Sequence, residues 1–169
     1  MAQSIINTGQ VLRQIIIGQF QQVTETQMDI QPNGFNNTVR WNVGHIVYWM
    51  DKYAALCFDS PTEIPEHYER MFGSGTKPSD WTETPPSKED LVERLSAQLS
   101  RLSELTPEML DHNLQSPFEM GPFIFHTSGE LFNFALVHEA IHLGVITSQL
   151  KLVNEVETVT RRSKERQTI

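Results

Sequence analysis

Three histidines in this chain have the spacing of a metal site. His138 and His142 stand four residues apart in the string HEAIH, and on a helix that spacing places two side chains about 40° apart around the axis and roughly 6 Å apart along it. A third imidazole, His45, falls in another predicted helix. Three neutral imidazoles with an open fourth position are typical of a catalytic metal centre, since structural zinc sites use all four positions. We therefore predict one divalent ion, Zn, Ni or Fe(II), held by His45, His138 and His142.

The two neighbouring histidines also belong to the apolar stripe of their helix. Residues at alternating spacings of four and three form that stripe: Leu131, Ala135, His138, His142, Val145, Gln149 and Leu152. A buried imidazole without hydrogen-bond partners costs about 1–3 kcal/mol, and a shared cation would remove that cost for both rings. The alternative is a pair of core histidines bonded to carbonyls, hydroxyls or water. Because bound rings must be neutral, metal occupancy is expected to decrease when the pH is lowered below about 6.

The string HEAIH also matches H-E-x-x-H, the signature of zinc peptidases, in which the glutamate is the general base. On a helix, Glu139 lies about 60° around the axis from His142, so it could contact a water on the metal. Such peptidases usually bind substrate along a sheet edge, and no strand pattern is visible in this sequence, which disfavours the interpretation. Glu139-x-x-His142 is also half of a di-iron carboxylate site, but the sequence has no second pair on another helix.

Four helices with apolar stripes of helical period must position these residues. We expect a first helix from about Ser4 to Glu25, a second from its N-cap Thr38 to about Phe58, a third opened by Ser87 with Asp90 as its capping-box partner, and a fourth opened by the capping box of Thr127 and Glu130 and lasting to about Val153.

The connections between the helices differ in length. Segment 61–86 is rich in Pro, Gly, Ser and Thr and is too long for a tight turn, so it is expected to cross over the bundle. Thr106-Pro107-Glu108 should start a short turn or helix, and the chain from there to His126 is expected to be irregular. The predicted fold is therefore all-α, a four-helix bundle with a long crossover between helices two and three.

Composition excludes several classes of function. The 169 residues, 38% hydrophobic and 20% charged, are typical of one globular domain. We place that domain at residues 1–155, followed by a polar tail over 156–169. The net charge of −8 argues against a nucleic-acid partner, because phosphate binding needs clustered Lys and Arg.

The sequence further indicates a cytoplasmic protein without a membrane partner. Met1-Ala2-Gln3-Ser4 lacks the basic start and apolar stretch of a signal peptide, and no apolar run approaches the roughly 20 residues needed to span a bilayer. The single cysteine, Cys57, excludes an internal disulfide and fits a reducing compartment. It lies in the apolar stripe of the second helix, which predicts a small core residue rather than a nucleophile.

Three stretches together resemble the DinB/YfiT-like superfamily of metal-binding four-helix bundles. They are Trp41-Asn42-Val43-Gly44-His45-Ile46, the string MFGSGTKPSDW from Met71 to Trp81, and HEAIHLG from His138 to Gly144. The resemblance covers about Ser4 to Val153. It implies an up-down-down-up bundle, often a homodimer, and a metal bound by one histidine of helix two and two of helix four, which here are His45, His138 and His142. One departure is Val145, where many relatives have glutamine.

Characterised members of that superfamily transfer or isomerise low-molecular-weight thiol conjugates, as bacillithiol and mycothiol transferases do. The resemblance thus implies metal-dependent transfer of such a thiol to a small electrophilic substrate. The open metal position would bind the thiol sulfur and lower its pKa. Asn42 and Glu139 are candidates to orient the thiol or a water. A hydrolase and a non-catalytic metal-binding stress protein remain as alternatives.

A second apolar stripe on two of the helices predicts a symmetric homodimer. Its residues are Trp41, Tyr48, Trp49 and Leu56 on helix two, and Phe132, Leu136, Leu143, Ile146 and Leu150 on helix four. The alternative is that the crossover and segment 106–126 cover these faces within one chain. Light scattering that detects only a 19.4 kDa species would contradict the dimer.

Overall fold

The computed structural model describes the backbone of residues 1–167 and the side chains of residues 1–155. Its helices and strands, in chain order, are α1 (Ala2–Gln21), α2 (Val39–Phe58), α3 (His67–Phe72), α4 (Lys88–Ser103), α5 (Pro107–Leu110), β1 (Asn113–Met120), β2 (Phe123–Thr127) and α6 (Ser128–Gln167). The four long helices correspond to the four predicted ones, which confirms the all-α bundle class.

Contacts between the long helices define an up-down-down-up bundle. Along α2, Asn42 bonds to Gln149, His45 to His138, and the Cys57 carbonyl to Ser128, so α2 and α6 are antiparallel. On α1, Gln10 meets Leu102 and Arg13 meets Gln98, so α1 and α4 are also antiparallel. Arg13 pairs with Glu139, and Gln19 pairs with Thr147 further along both helices, so α1 is parallel to α6. The topology implied by the family resemblance is thereby confirmed.

Side chains define where the long helices begin. Thr38 Oγ1 accepts a hydrogen bond from the Trp41 amide at 3.2 Å and opens α2. At the start of α4, Ser87 and Asp90 form a reciprocal capping box. Glu130 accepts from the backbone amides of His126 and Thr127 at the start of α6. These hydrogen bonds confirm the three predicted starts. Each start could be predicted because it depends on a local capping pattern.

Two helix ends differ from the expectation. The first helix ends at Gln21, before the expected Glu25, and a short 3₁₀ turn at Gln27–Asp29 follows it. The last helix continues to Gln167, well past Val153, because no Pro or Gly interrupts the chain there. The predicted polar tail begins at residue 156, so its side chains lie outside those that the structure describes.

The segment expected to be irregular contains a β-hairpin. Strands β1 and β2 are antiparallel, with Met120 paired to Phe123 across a two-residue turn in which Gly121 has a positive φ of 57°, as tight hairpins favour. The hairpin packs on the bundle through Phe118, which contacts Tyr53 of α2, and Phe125, which contacts Phe134 of α6. The prediction of no strand was wrong, because contacts distant in sequence stabilise this hairpin.

The crossover between α2 and α4 covers the outer face of α2. Trp41 Nε1 donates to Thr76 Oγ1 at 2.9 Å, and Phe72 packs against Gly44 so closely that any Cβ at position 44 would clash with its ring. The part of the predicted crossover that bears α3 therefore forms core with α2. Glycine at position 44 is needed for this close approach.

Most of the stripe predicted to face a second subunit is buried within one chain. The crossover covers Trp41 and Tyr48, and α1 packs on Phe132 and Leu136 through Gly9. Leu56 alone of the nine residues is exposed, at 49%. The crossover thus covers the α2 face as the intramolecular alternative expected, whereas α1 packs on Phe132 and Leu136; the homodimer itself stays a prediction.

Residues Ser128–Glu155 of α6 are long and apolar enough to cross a membrane by length and composition. The stretch is no uninterrupted apolar run, because Glu130, His138 and Glu139 fall within it. The core helix of a soluble bundle meets the same criteria, and α6 packs on both α1 and α2 through buried residues such as Leu131, Ala135 and Ile146. The structure therefore supports a bundle of the soluble type.

We predict that Gly44→Ala lowers the free energy of unfolding by about 1–3 kcal/mol, because the added methyl group must displace Phe72 from a packed core. Gly18→Ala is the matched control, since position 18 is also within a helix but a Cβ there would meet no neighbouring atom within 4 Å; it should be neutral or stabilising by up to about 1 kcal/mol. Urea denaturation of both variants measures the difference. Equal stability of the two would contradict the packing described here.

Candidate metal centre

The structure brings the three predicted ligands together between α2 and α6. His45 Nε2 lies 3.1 Å from His138 Nε2, and one ring nitrogen from each of the three histidines lies within 4.8 Å of the others. Imidazole nitrogens about 2.0–2.1 Å from a shared tetrahedral ion are roughly 3.4 Å apart. The cluster could therefore hold a metal ion after small side-chain adjustments.

A backbone carbonyl of the crossover fixes the orientation of His45. His45 Nδ1 lies 2.6 Å from the Phe72 carbonyl oxygen at the end of α3. A carbonyl can only accept, so Nδ1 carries the hydrogen, and Nε2 of the neutral ring has a free lone pair. The bond therefore selects the tautomer that a metal ligand requires.

A side-chain amide does the same for His142. Asn42 Oδ1 lies 2.8 Å from His142 Nδ1, while the Asn42 amide nitrogen donates to the Thr38 carbonyl at 2.9 Å. The amide oxygen therefore faces His142 and accepts its Nδ1 hydrogen, which leaves Nε2 as the ligand atom. Asn42 was predicted to orient a thiol or a water; the structure places its amide oxygen against His142.

Burial keeps the three rings uncharged. Desolvation, with a smaller contribution from neighbouring histidines, lowers the pKa of His45 to about 3 and that of His142 to about 4. Burial also lowers the pKa of His138. Neutral imidazoles bind metal, so all three are in the binding form at neutral pH. Without a cation, a hydrogen on His138 Nε2 can be donated to His45 Nε2, so the alternative of bonded core histidines also fits this contact.

Aromatic rings surround the cluster on the α2 side. Trp41 stacks on His45 with ring centres 4.5 Å apart, and Trp49 and Tyr53 lie edge-on to His138 at 6.2 and 6.0 Å. This apolar wall excludes water and strengthens electrostatic interactions at the site. Along α6, in contrast, His138 and His142 are only half-buried, which leaves the cluster accessible from that side.

Glu139 faces a different helix from its neighbour His138. Its carboxylate is 1% exposed and lies 2.5 Å from the Arg13 guanidinium of α1. Arg13 also donates to Gln98 Oε1 at 2.9 Å, and Gln98 donates to the Val47 carbonyl at 2.8 Å. Burial raises the pKa of Glu139 and Arg13 opposes that shift. Glu139, which the sequence predicted as a catalytic group, thus forms an ion pair in the bundle core.

Cys57 has no nucleophilic role at this centre. Its side chain is buried in the core cluster that contains Met50 and Leu131, and burial raises the pKa of the thiol to about 12. A thiol is nucleophilic as its anion, so Cys57 is inert at neutral pH. The predicted role as a small core residue is confirmed.

Two groups at the site escaped the sequence analysis. The Phe72 carbonyl is a backbone group, so no residue type could have identified it. Gln149, completely buried, bonds to Asn42; its position in an apolar stripe two turns after His142 was a signal of a buried polar partner. The sequence did not indicate which residue it would contact.

Fold and site together define a four-helix bundle whose three buried or half-buried histidines could hold a metal ion. The family model of the DinB superfamily matches residues 10–146 of the chain. The chain belongs to the DinB superfamily. A search of characterised proteins finds no match.

We predict that Glu139→Ala lowers the free energy of unfolding by about 3–5 kcal/mol, because it leaves the Arg13 charge buried without its partner. The double variant Arg13→Met/Glu139→Leu removes both charges and should lose much less stability. Urea denaturation of both proteins measures the two values. A single variant as stable as the wild type, or a double variant less stable than the single one, would contradict the ion-pair assignment.

Proposed function

We propose that this protein is a metal-dependent transferase that joins a low-molecular-weight thiol of the bacillithiol type to an electrophilic small molecule. One divalent ion, Zn, Ni or Fe(II), would be held by His45, His138 and His142. The observation that carries the proposal is the convergence of three neutral imidazoles, two of them with Nδ1 bonded to an acceptor and Nε2 turned inward. Family membership supports it.

The chain's own residues prepare this centre in three ways. Phe72 and Asn42 fix two ligand tautomers, so these two rings need no change of tautomer before binding. The wall of Trp41, Trp49 and Tyr53 excludes water on one side, and the half-buried side along α6 admits the substrates. When bound, the ion acts as a Lewis acid that favours the thiolate form of a thiol at neutral pH.

The placement of Glu139 favours transfer over hydrolysis. A metal-dependent hydrolase of the H-E-x-x-H kind needs that carboxylate as its general base, whereas here it pairs with Arg13 in the core. A thiol activated by the ion alone needs no such base. The non-catalytic metal-binding protein remains the second candidate, because the cluster itself does not require a substrate.

We propose that the protein acts in the cytoplasm as a homodimer.

We predict about one divalent ion per chain in the native protein and almost none in His142→Ala. His112→Ala is the matched control, since His112 is an exposed histidine distant from the cluster in sequence, and it should retain the wild-type metal content. Elemental analysis of the three proteins measures this. Equal metal content in wild type and His142→Ala would remove the proposed site.

When the metal content is measured across pH, we expect the protein to lose its metal only below pH 6. Protons compete with metal for the ring nitrogens, and the lowered pKa values of His45 and His142, about 3 and about 4, delay that competition. Retained metal should therefore persist at pH 6 and decline only in more acidic buffer. A loss already complete at pH 6 would show that the rings titrate as ordinary histidines.

For activity, we predict that monochlorobimane is consumed in the presence of bacillithiol and metal, and that chelation or His142→Ala abolishes the enzymatic rate. Glutathione, a no-thiol reaction and the His112→Ala variant are the controls. Breakdown of esters or amides without thiol would support the hydrolase instead. Metal-loaded protein that leaves both substrate panels unchanged would contradict the transferase for these thiols and favour the non-catalytic candidate.

A further inference from the structure

A series of buried hydrogen bonds connects Gln149 to the histidine cluster. Its Nε2 donates to the Asn37 carbonyl at 2.5 Å, and its Oε1 accepts from Asn42 Nδ2 at 3.2 Å. Asn42 Oδ1 then accepts from His142 Nδ1 at 2.8 Å. Gln149 is completely buried and Asn42 is 2% exposed, so water cannot readily replace a lost bond in this chain.

The direction of every bond in the chain is determined by backbone carbonyls. The Asn37 carbonyl can only accept, so the nitrogen of Gln149 must face it and the oxygen must face Asn42. The Thr38 carbonyl likewise accepts from the Asn42 nitrogen at 2.9 Å. Both hydrogens of the Asn42 amide are therefore used, and its oxygen is left for His142. A flipped Asn42 amide would place its oxygen against two acceptors.

We infer that Gln149 is a positioning residue for the metal centre: through Asn42 it holds His142 as the Nδ1–H tautomer with Nε2 free for the ion. This inference rests on the proposed metal-binding function and extends it to a residue that touches no ligand atom of the cluster. Without Gln149, the Thr38 carbonyl alone would orient Asn42, and the second amide hydrogen would be buried without an acceptor.

The test replaces Gln149 with Met, which keeps the length and removes both hydrogen bonds. Cobalt(II) or zinc(II) titration of the metal-free protein should show weaker binding, by no more than the roughly 10–100-fold loss that follows removal of the direct partner of a metal-ligating histidine, because that partner, Asn42, is retained. Gln98→Met is the matched control, because Gln98 is another buried glutamine that bridges helices through a backbone carbonyl. It should lose stability without the same loss of metal affinity. Equal losses in both variants would assign the effect to packing and overturn the inference.

A double variant shows whether Gln149 acts through Asn42. If it does, Asn42→Leu/Gln149→Met should bind metal no more weakly than Asn42→Leu, since the pathway is already interrupted. Fully additive losses would overturn the inference. Gln149→Asn, which keeps a polar amide but is too short to bridge, serves if the Met variant does not fold; it should weaken binding in the same direction.

Nitrogen-15 NMR of the metal-free protein gives a readout that does not depend on metal. His142 should be the Nδ1–H tautomer in the wild type and a mixture of tautomers in Gln149→Met, with Gln98→Met unchanged. If the wild type bound none of cobalt, zinc, nickel and iron(II), the proposed function would fail, and this spectrum alone would decide whether Gln149 fixes the tautomer of His142. An unchanged His142 tautomer in the folded Gln149 variant would overturn the inference in either case.

Discussion

The antiparallel packing of α2 on α6 determines which residues of this protein can meet. Each step forward along α2 is a step backward along α6, so Asn42 reaches Gln149, His45 reaches His138, and Cys57 reaches Ser128. The three ligands, together with Asn42 and Gln149, therefore arise from one helix interface, whereas the Phe72 carbonyl comes from the crossover. A site on two packed helices is held more precisely than a site on flexible segments, and this one needs no hinge to assemble.

Two adjacent polar residues of α6 are stabilised in the protein interior in different ways. His138 points to α2, where burial favours its neutral form. Glu139, one position further and about 100° around the helix, points to α1 and is compensated by Arg13. Neutrality suits a metal ligand, whereas an ion pair suits a group that must stay in the core. The same helix thus separates the face that bears the histidine cluster from the face that forms the buried ion pair.

Much of this arrangement could be predicted from sequence because it depends on local patterns. The periodic stripes indicated the helices, the capping residues Ser87 and Glu130 indicated two of their starts, and the spacing of His138 and His142 indicated the ligand pair. The hairpin was missed because Phe118 and Phe125 depend on contacts with helices distant in sequence. The Arg13 partner of Glu139 was missed for a related reason: periodicity identifies the faces of a helix, but not the neighbour that each face meets.

The bond between His45 and the Phe72 carbonyl extends the centre into a segment that contributes no ligand. Because the acceptor belongs to the backbone, no substitution of Phe72 deletes it; with His45 in place, the bond breaks when the backbone moves. The Phe72 ring, seated on Gly44, prevents that displacement. An insertion or deletion that shifts the crossover by one position would therefore disturb the centre with all three histidines intact.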